Sequence, residues 1–243
     1  MKLPKSHPRY KSLKTRGLIV KGAEKGIASI HGLIAHGRGE AFDYLIGEKT
    51  NEFAKKSIKA AAALLSIANR PVISVNGNTA ALVPKELSAL SKILNAPLEI
   101  NIFHPSKTRE LKIKKHLENH GAKNILMPQK NAAIKFLESN RKYANQNGIL
   151  KADVVFVPLE DGDRAEALIR NGKKVIAVDL NPLSRTAQKA TITIADNIIR
   201  AIPLLIKEIN LLKKQNKNKL KIIIGKYDNK KNLNEAIKIA RNS

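Results

Sequence analysis

The sequence predicts an α/β fold: a Rossmann-like, mostly parallel sheet with helices on both faces, preceded by a helical and glycine-rich N-terminal layer. Three observations carry this. Short runs such as "ADVVFVPL" and "KKVIAVDL" are apolar at nearly every position, as strands buried on both faces are. They alternate with segments of helical composition, the pattern of β–α crossovers. Polar loops marked by glycine or proline follow the strands, and ligands bind at such strand ends.

At 243 residues, 43% of them hydrophobic, the chain can bury one sizeable core. We read it as a single α/β domain in three parts. Residues 1–50 form the N-terminal layer, 71–207 a nucleotide-binding core, and 208–243 a lysine-rich tail with a terminal helix.

The elements follow in order. Residues 31–50, "HGLIAHGRGEAFDYLIGEKT", hold two His-Gly pairs and a Gly-Arg-Gly, then a run with no clear helical stripe. Residues 51–69 are dense in Ala and Leu without Gly or Pro, and predict a helix. "PVISVNG" reads as a strand running into a turn at "NGN". "PLEINIF" is a second strand, and "SKTRELKIKKHLENHG" a helix capped by Ser106 and stopped at Gly121. "AKNILMP" is a short third strand. "ADVVFVPL" leads to a helix in "DRAEALIRNG" with Asp163 at its cap, and then to strand "KKVIAVDL". "ATITIAD" is a last strand, and "NIIRAIPLLIKEINLLKK" a long amphipathic helix starting at Asp196 or Asn197. The Lys/Asn-rich stretch from about 212 precedes "KIIIGKYDN" and a helix "KNLNEAIKIARN".

Composition narrows the function. There is no cysteine, which excludes disulfides and thiolate metal sites. The N-terminus lacks a secretory apolar region, and no run reaches the ~18 apolar residues of a membrane span. A cytoplasmic protein is expected. The net charge of +25 invites a nucleic-acid reading. Yet only 11 of the 45 basic residues are arginine and aromatics are 4%, so a lysine-rich solvated surface is the plainer account and a nucleic-acid partner is unlikely.

The arginines are the more pointed signal, since a planar fork for phosphate or carboxylate is something lysine cannot supply. Arg9, Arg16, Arg38, Arg164, Arg185 and Arg200 fall in or beside segments marked by glycine, proline or acids. In "VDLNPLSRT", Asp179 ends a buried strand where a carboxylate can accept from ribose hydroxyls. Asn181, Arg185 and Thr186 follow with an amide, a charged fork and a hydroxyl; a strand-end turn explains the same residues equally well. "PLEDGDR" sets Glu160 and Asp161 where they could meet Mg²⁺, receive an ammonium group, or simply favour a helix start. Asn76, Gly77 and Asn78 form a loop whose N–H groups could cradle an anion. The common phosphate loops and H-E-x-x-H are absent. On residues alone this is an α/β protein that binds a phosphorylated, nucleotide-like ligand.

"HPRYKSL", "GLIAHGRGEAFDYLIGEKT", "PVISVNGN", "ADVVFVPLEDGDR" and "VIAVDLNPLSRTAQKATITIADNIIRAIP" together resemble the archaeal 4-phosphopantoate–β-alanine ligases, the phosphopantothenate synthetases. The resemblance runs from about residue 4 to 207 and is weakest over 128–148. It implies ATP-dependent joining of 4-phosphopantoate and β-alanine through an acyl-adenylate, in archaeal coenzyme A biosynthesis, with release of AMP and diphosphate. It implies a homodimer, with ATP as co-substrate, held by Arg16, Arg38, Asp179, Leu180, Asn181, Arg185, Thr186 and Asn197. Arg38 and Arg185 are then expected to stabilise charge at the α-phosphate together with Mg²⁺. The glycines beside Arg38 would bring backbone close to phosphate. Asn76, Gly77 and Asn78 are assigned to 4-phosphopantoate, and Glu160 or Asp161 to β-alanine. The rival readings are another ATP-dependent amide ligase or nucleotide-sugar enzyme on the same scaffold, and a basic nucleic-acid-binding module.

Overall fold

The computed structural model describes residues 4–242. Two helices, α1 (Tyr10–Glu24) and α2 (Ile30–Leu45), make the N-terminal layer, and α3 (Glu52–Ile67) leads into the sheet. Strand β1 (Pro71–Val75) is followed by α4 (Gly77–Leu82), α5 (Pro84–Leu94), β2 (Leu98–Ile100), α6 (Lys107–Glu118) and β3 (Ile125–Leu126). A two-stranded antiparallel ribbon, β4 (Gln129–Ala133) with β5 (Tyr143–Ala144), interrupts the alternation. Then come β6 (Val154–Pro158), α7 (Gly162–Arg170), β7 (Lys174–Val178), α8 (Arg185–Lys189) and β8 (Ile192–Ile194). Three helices close the chain: α9 (Ile198–Leu212), α10 (Lys217–Gly225) and α11 (Asn229–Arg241).

The six strands of the main sheet run in the order β3-β2-β1-β6-β7-β8, all parallel. Strand alternation divides the core. Ile73, Val75, Phe156, Ile176 and Val178 pack with α3, α5 and α9 on one face. Val72, Val155, Val157, Val175 and Ala177 pack with Ala165, Ala167 and Leu168 of α7 on the other. Both faces are covered, as the uninterrupted apolar runs predicted. The run of small residues from Ala60 to Ala63 is fully buried, which lets α3 lie close against its neighbours.

Several local expectations change. Residues 31–45 are helical despite their missing stripe: Glu40 and Asp43 are the buried residues of α2, Leu33 and Phe42 pack against the apolar clusters, and the helix lies over a groove. "NGN" is a helix start: Asn76 caps α4 in a reciprocal capping box with Thr79. Asp161, not Asp163, stands at the N-cap position of α7, and the Asp163 carboxylate accepts from the adjacent Arg164 N–H at 2.8 Å. "KIIIG" belongs to α10, whose Leu220 is buried in the core that α3 helps to form. Ser106, Gly121 (φ +88°) and Asn197 cap or stop their helices as expected.

The strand order reverses between β1 and β6, so a crevice opens at their C-terminal ends. Asn76 spans it, its Nδ2 donating to the carbonyls of Pro158 (3.2 Å) and Leu159 (2.8 Å). Leu159 adopts φ 55°, a left-handed backbone that β6 takes as it ends.

Candidate active site

A cavity of about 530 Å³ lies over that crevice, roofed by α2. Its walls come from the loops after β6 and β7, from the start of α9, and from Arg38 and Gly39. Arg38, Asp179, Leu180, Asn181, Arg185, Thr186 and Asn197 all line it, as do Asn78, Glu160 and Asp161. Asn76 and Gly77 line an adjoining cavity. Arg16 does neither. It faces a separate cavity of about 460 Å³ beside Val20, Leu33 and Tyr44, and is paired with Glu40 at 2.7 Å.

Hydrogen bonds tie the loops of the main cavity together. Asp179 accepts from the Asn181 N–H at 3.0 Å and from the Ser184 hydroxyl at 2.5 Å, so its carboxylate shapes the turn after β7. Burial pushes the pKa of Asp179 up, while those two bonds and the nearby Arg38 charge pull it back. The Thr186 hydroxyl donates to the Glu160 carbonyl at 2.7 Å, joining the β6 and β7 loops. Asn197 Nδ2 donates to Asp43 of α2 at 2.8 Å, and Arg200 bridges Asp43 and Asp196, so the start of α9 is bolted to the roof. Arg185 reaches Glu166 at 2.5 Å but stays 62% exposed. Arg38 is exposed and has no hydrogen bond or ion pair among the described residues, which leaves its fork free for an anion.

Of the glycines around Arg38, Gly39 lines the main cavity and presents bare backbone there. Gly37 and Gly39 lie inside α2, where their N–H groups belong to the helix ladder rather than to a phosphate. The close approach is at Gly32. An added Cβ there would stand 2.2 Å from Asn78 Oδ1, and the bare backbone lets Asn78 Nδ2 donate to the Gly32 carbonyl at 2.9 Å.

Glu160 is fully engaged. It pairs with Arg141 at 2.5 Å and with Arg164, which is itself 0% exposed and donates to Ser74 at 2.9 Å. Asp161 also accepts from Arg141 yet remains 46% exposed. Arg141 is the site residue that sequence reading missed. It lies in 128–148, and its one signal was being an arginine in a lysine-rich chain. Among the described residues no three His, Cys, Asp or Glu side chains converge as metal ligands, and no helix is long and apolar enough to cross a membrane.

The model of a family described as phosphopantothenate/pantothenate synthetase matches residues 53–243. The chain is 52% identical over 236 residues to a 4-phosphopantoate–beta-alanine ligase of Thermococcus kodakarensis, covering 97% of this chain and 90% of that one. It is 48% identical over 235 residues to the enzyme of that name from Methanosarcina mazei, covering 97% and 92%. With the Methanospirillum hungatei enzyme it shares 52% identity over 200 residues, 82% of each.

Proposed function

Because the chain belongs to the phosphopantothenate/pantothenate synthetase family, we propose that it is a ligase joining 4-phosphopantoate to β-alanine at the expense of ATP, in coenzyme A biosynthesis. A carboxylate is a poor acyl donor. Its oxygen attacks the α-phosphorus of ATP, the bond to the bridging oxygen breaks, and diphosphate leaves. The β-alanine nitrogen then attacks the acyl carbon, the bond to AMP breaks, and the amine gives up its proton, leaving 4′-phosphopantothenate.

One observation carries this reading: arginines, amides and a carboxylate from four separate segments surround a single cavity at the switch point of the sheet. In this role Asp179 and Asn181 hold the ribose and base side of the nucleotide, and Thr186 and Asn197 shape its bed. Arg38 and Arg185 meet the charge that grows on the α-phosphate, where fixed donors act most strongly. Mg²⁺ suits the same place. It is usually held by one or two carboxylates plus substrate phosphates, and Asp161 is the half-exposed carboxylate in the wall. The metal would neutralise the phosphates and polarise the leaving group.

Asp161 is also the better candidate for the β-alanine ammonium, since Glu160 is taken up by two arginines. The acid substrate lies towards Asn76, Gly77 and Asn78. We take the working form to be a cytoplasmic homodimer, which the exposed Ile30 (73%) and Ile34 (64%) of α2 support. The test is incubation with ATP, 4-phosphopantoate and β-alanine. AMP and diphosphate should appear only with all three present. No AMP, or product formed equally with any amine, overturns the substrate assignment.

A further inference from the structure

Asp43, on the same roof helix as Arg38, is 4% exposed and meets the start of α9. Its carboxylate takes three hydrogen bonds. Oδ1 accepts from Arg200 Nη2 at 2.5 Å, and Oδ2 accepts from Arg200 Nη1 at 3.2 Å and from Asn197 Nδ2 at 2.8 Å. The Arg200 fork is thus seated on one carboxylate. Its Nε and Nη2 also donate to Asp196, at 2.9 Å and 2.6 Å. Asp196 in turn accepts from the Asn197 N–H at 2.7 Å and from the Thr50 hydroxyl at 2.6 Å. The roof, the segment before α3 and the end of β8 meet in this one cluster.

Of these five residues, Asn197 alone lines the main cavity. A side-chain amide has an acceptor end and a donor end, and half a turn exchanges them. Here both ends are fixed. Oδ1 accepts from the Ile199 N–H at 3.3 Å, while Nδ2 donates to a carboxylate that can only accept. Turned over, the amide would set oxygen against the Asp43 oxygen and N–H against N–H. Nδ2 carries two hydrogens. Asp43 takes one, and the other has no partner among the described residues.

We propose that Asp43 is a positioning residue for the nucleotide: it orients the Asn197 amide so that the spare N–H is offered to ATP, and Arg200 holds the Asp43 carboxylate in place. This rests on the nucleotide part of the ligase reading and deepens it. A donor fixed in one orientation suits the acceptor oxygens of ribose and phosphate, and it loses no rotamer freedom when the ligand arrives. Because Asp43 and Arg38 share a helix, the same bond keeps the roof that carries Arg38 in place over the nucleotide bed.

The test is calorimetric titration of the full chain with ATP and Mg²⁺ alone, so that nothing turns over, with melting temperatures confirming the fold. Asp43→Asn should weaken ATP binding by about tenfold or more. Thr50→Val removes a bond from the same cluster without touching the Asn197 side chain, and should stay within about twofold of wild type even where its melting temperature falls. Asn197→Ala should weaken binding as Asp43→Asn does, and adding Asp43→Asn to it should cost less than about a further twofold. In turnover, the KM for ATP should rise in Asp43→Asn while the KM values for 4-phosphopantoate and β-alanine hold. Losses that multiply in the double variant would show that Asp43 does not act through Asn197. A loss in Thr50→Val as large as that in Asp43→Asn would show general loosening, and unchanged ATP binding in Asp43→Asn would show no role; each overturns the proposal. If Asp43→Asn does not fold, Asp43→Glu gives the same reading, since it keeps the charge for Arg200 and displaces the acceptor from Asn197. A wild type that binds ATP but makes no AMP with all three substrates sinks the ligase reading and leaves this one to the titrations. A wild type that does not bind ATP sinks both.

Discussion

Glu160 Oε1 stands 2.5 Å from the Arg141 guanidinium, and the same carboxylate pairs with Arg164 through its other oxygen. One buried anion therefore neutralises two arginines, one from α7 and one from the turn before β5. Both arginines keep buried nitrogens without partners, so little slack exists. Replacing Glu160 by Gln leaves Arg164 buried against a neutral amide and Arg141 with Asp161 as its remaining carboxylate. The expected loss is about 3–5 kcal/mol of stability, the range for breaking a buried ion pair from one side. A urea midpoint measured for Glu160→Gln checks it, and an unchanged midpoint would show that the arginines find other acceptors.

Arg38 presents the opposite case, an arginine near the Asp179 charge but with no hydrogen-bonded partner among the described residues. Exposed in the wall of the main cavity, its side chain has no hydrogen bond or ion pair among the described residues to lose. Arg38→Lys should leave the melting temperature unchanged and lower kcat by roughly 10²-fold, the scale for removing one preorganised donor from a developing charge. Lysine keeps the charge and removes the fork, so the comparison isolates geometry. Near-normal turnover would remove Arg38 from the charge-stabilising role.

The central sheet was legible because its strands are apolar throughout, a local signal that survives folding. The main cavity was legible for a related reason: strand-end loops carry their chemistry within a few residues, as in "DLNPLSRT". The adjoining cavity, lined by Arg109 and Arg141, was not. Arg141 and Arg109 stand 32 residues apart in sequence and line one cavity because the ribbon is tied to Asn101 at the end of β2. Charge pairing was equally hidden. Glu160 looked free in "PLEDGDR", and nothing local announces that Arg141 takes one of its oxygens. The roof was read as part of a helical layer although its segment shows no apolar stripe, and a helix that covers a groove needs none.

The contact of α2 with α4 makes the glycines separable. At Gly32 an added methyl would meet Asn78 Oδ1 at 2.2 Å, and that side chain is held by its own bond to the Gly32 carbonyl. Gly32→Ala should therefore destabilise by about 1–3 kcal/mol, as overpacking does. Gly37 has nothing within 4 Å of an added Cβ. Gly37→Ala should instead stabilise α2 by about 0.5–1 kcal/mol through helix propensity. Melting curves of the two variants should move in opposite directions; a shared direction would mean that propensity or packing alone governs this helix.

Glu99 of β2 gives the fold a pH dependence of definite sign. Its two oxygens accept from the N–H groups of Asn145 (2.9 Å) and Ile149 (2.7 Å), pinning the loop that follows the ribbon. Burial raises its pKa to about 7, with those bonds and the charges of Arg164 and Lys173 opposing. A carboxyl group raised in the folded state holds its proton where the unfolded chain has lost it. Its contribution is complete below the ordinary value of 4.5 and is lost as pH rises through about 7. At ~1.4 kcal/mol per pH unit across that window, the swing is about 3 kcal/mol. His36 and His116 pull the other way: burial lowers both, so their contribution is lost as pH falls. Those histidines titrate alike in wild type and in Glu99→Gln, so the difference between the two proteins isolates Glu99. Measured by denaturant unfolding from about pH 5 to about 8, the wild type should lose ground to Glu99→Gln as pH rises. A constant difference across the window would mean that Glu99 keeps one protonation state throughout it.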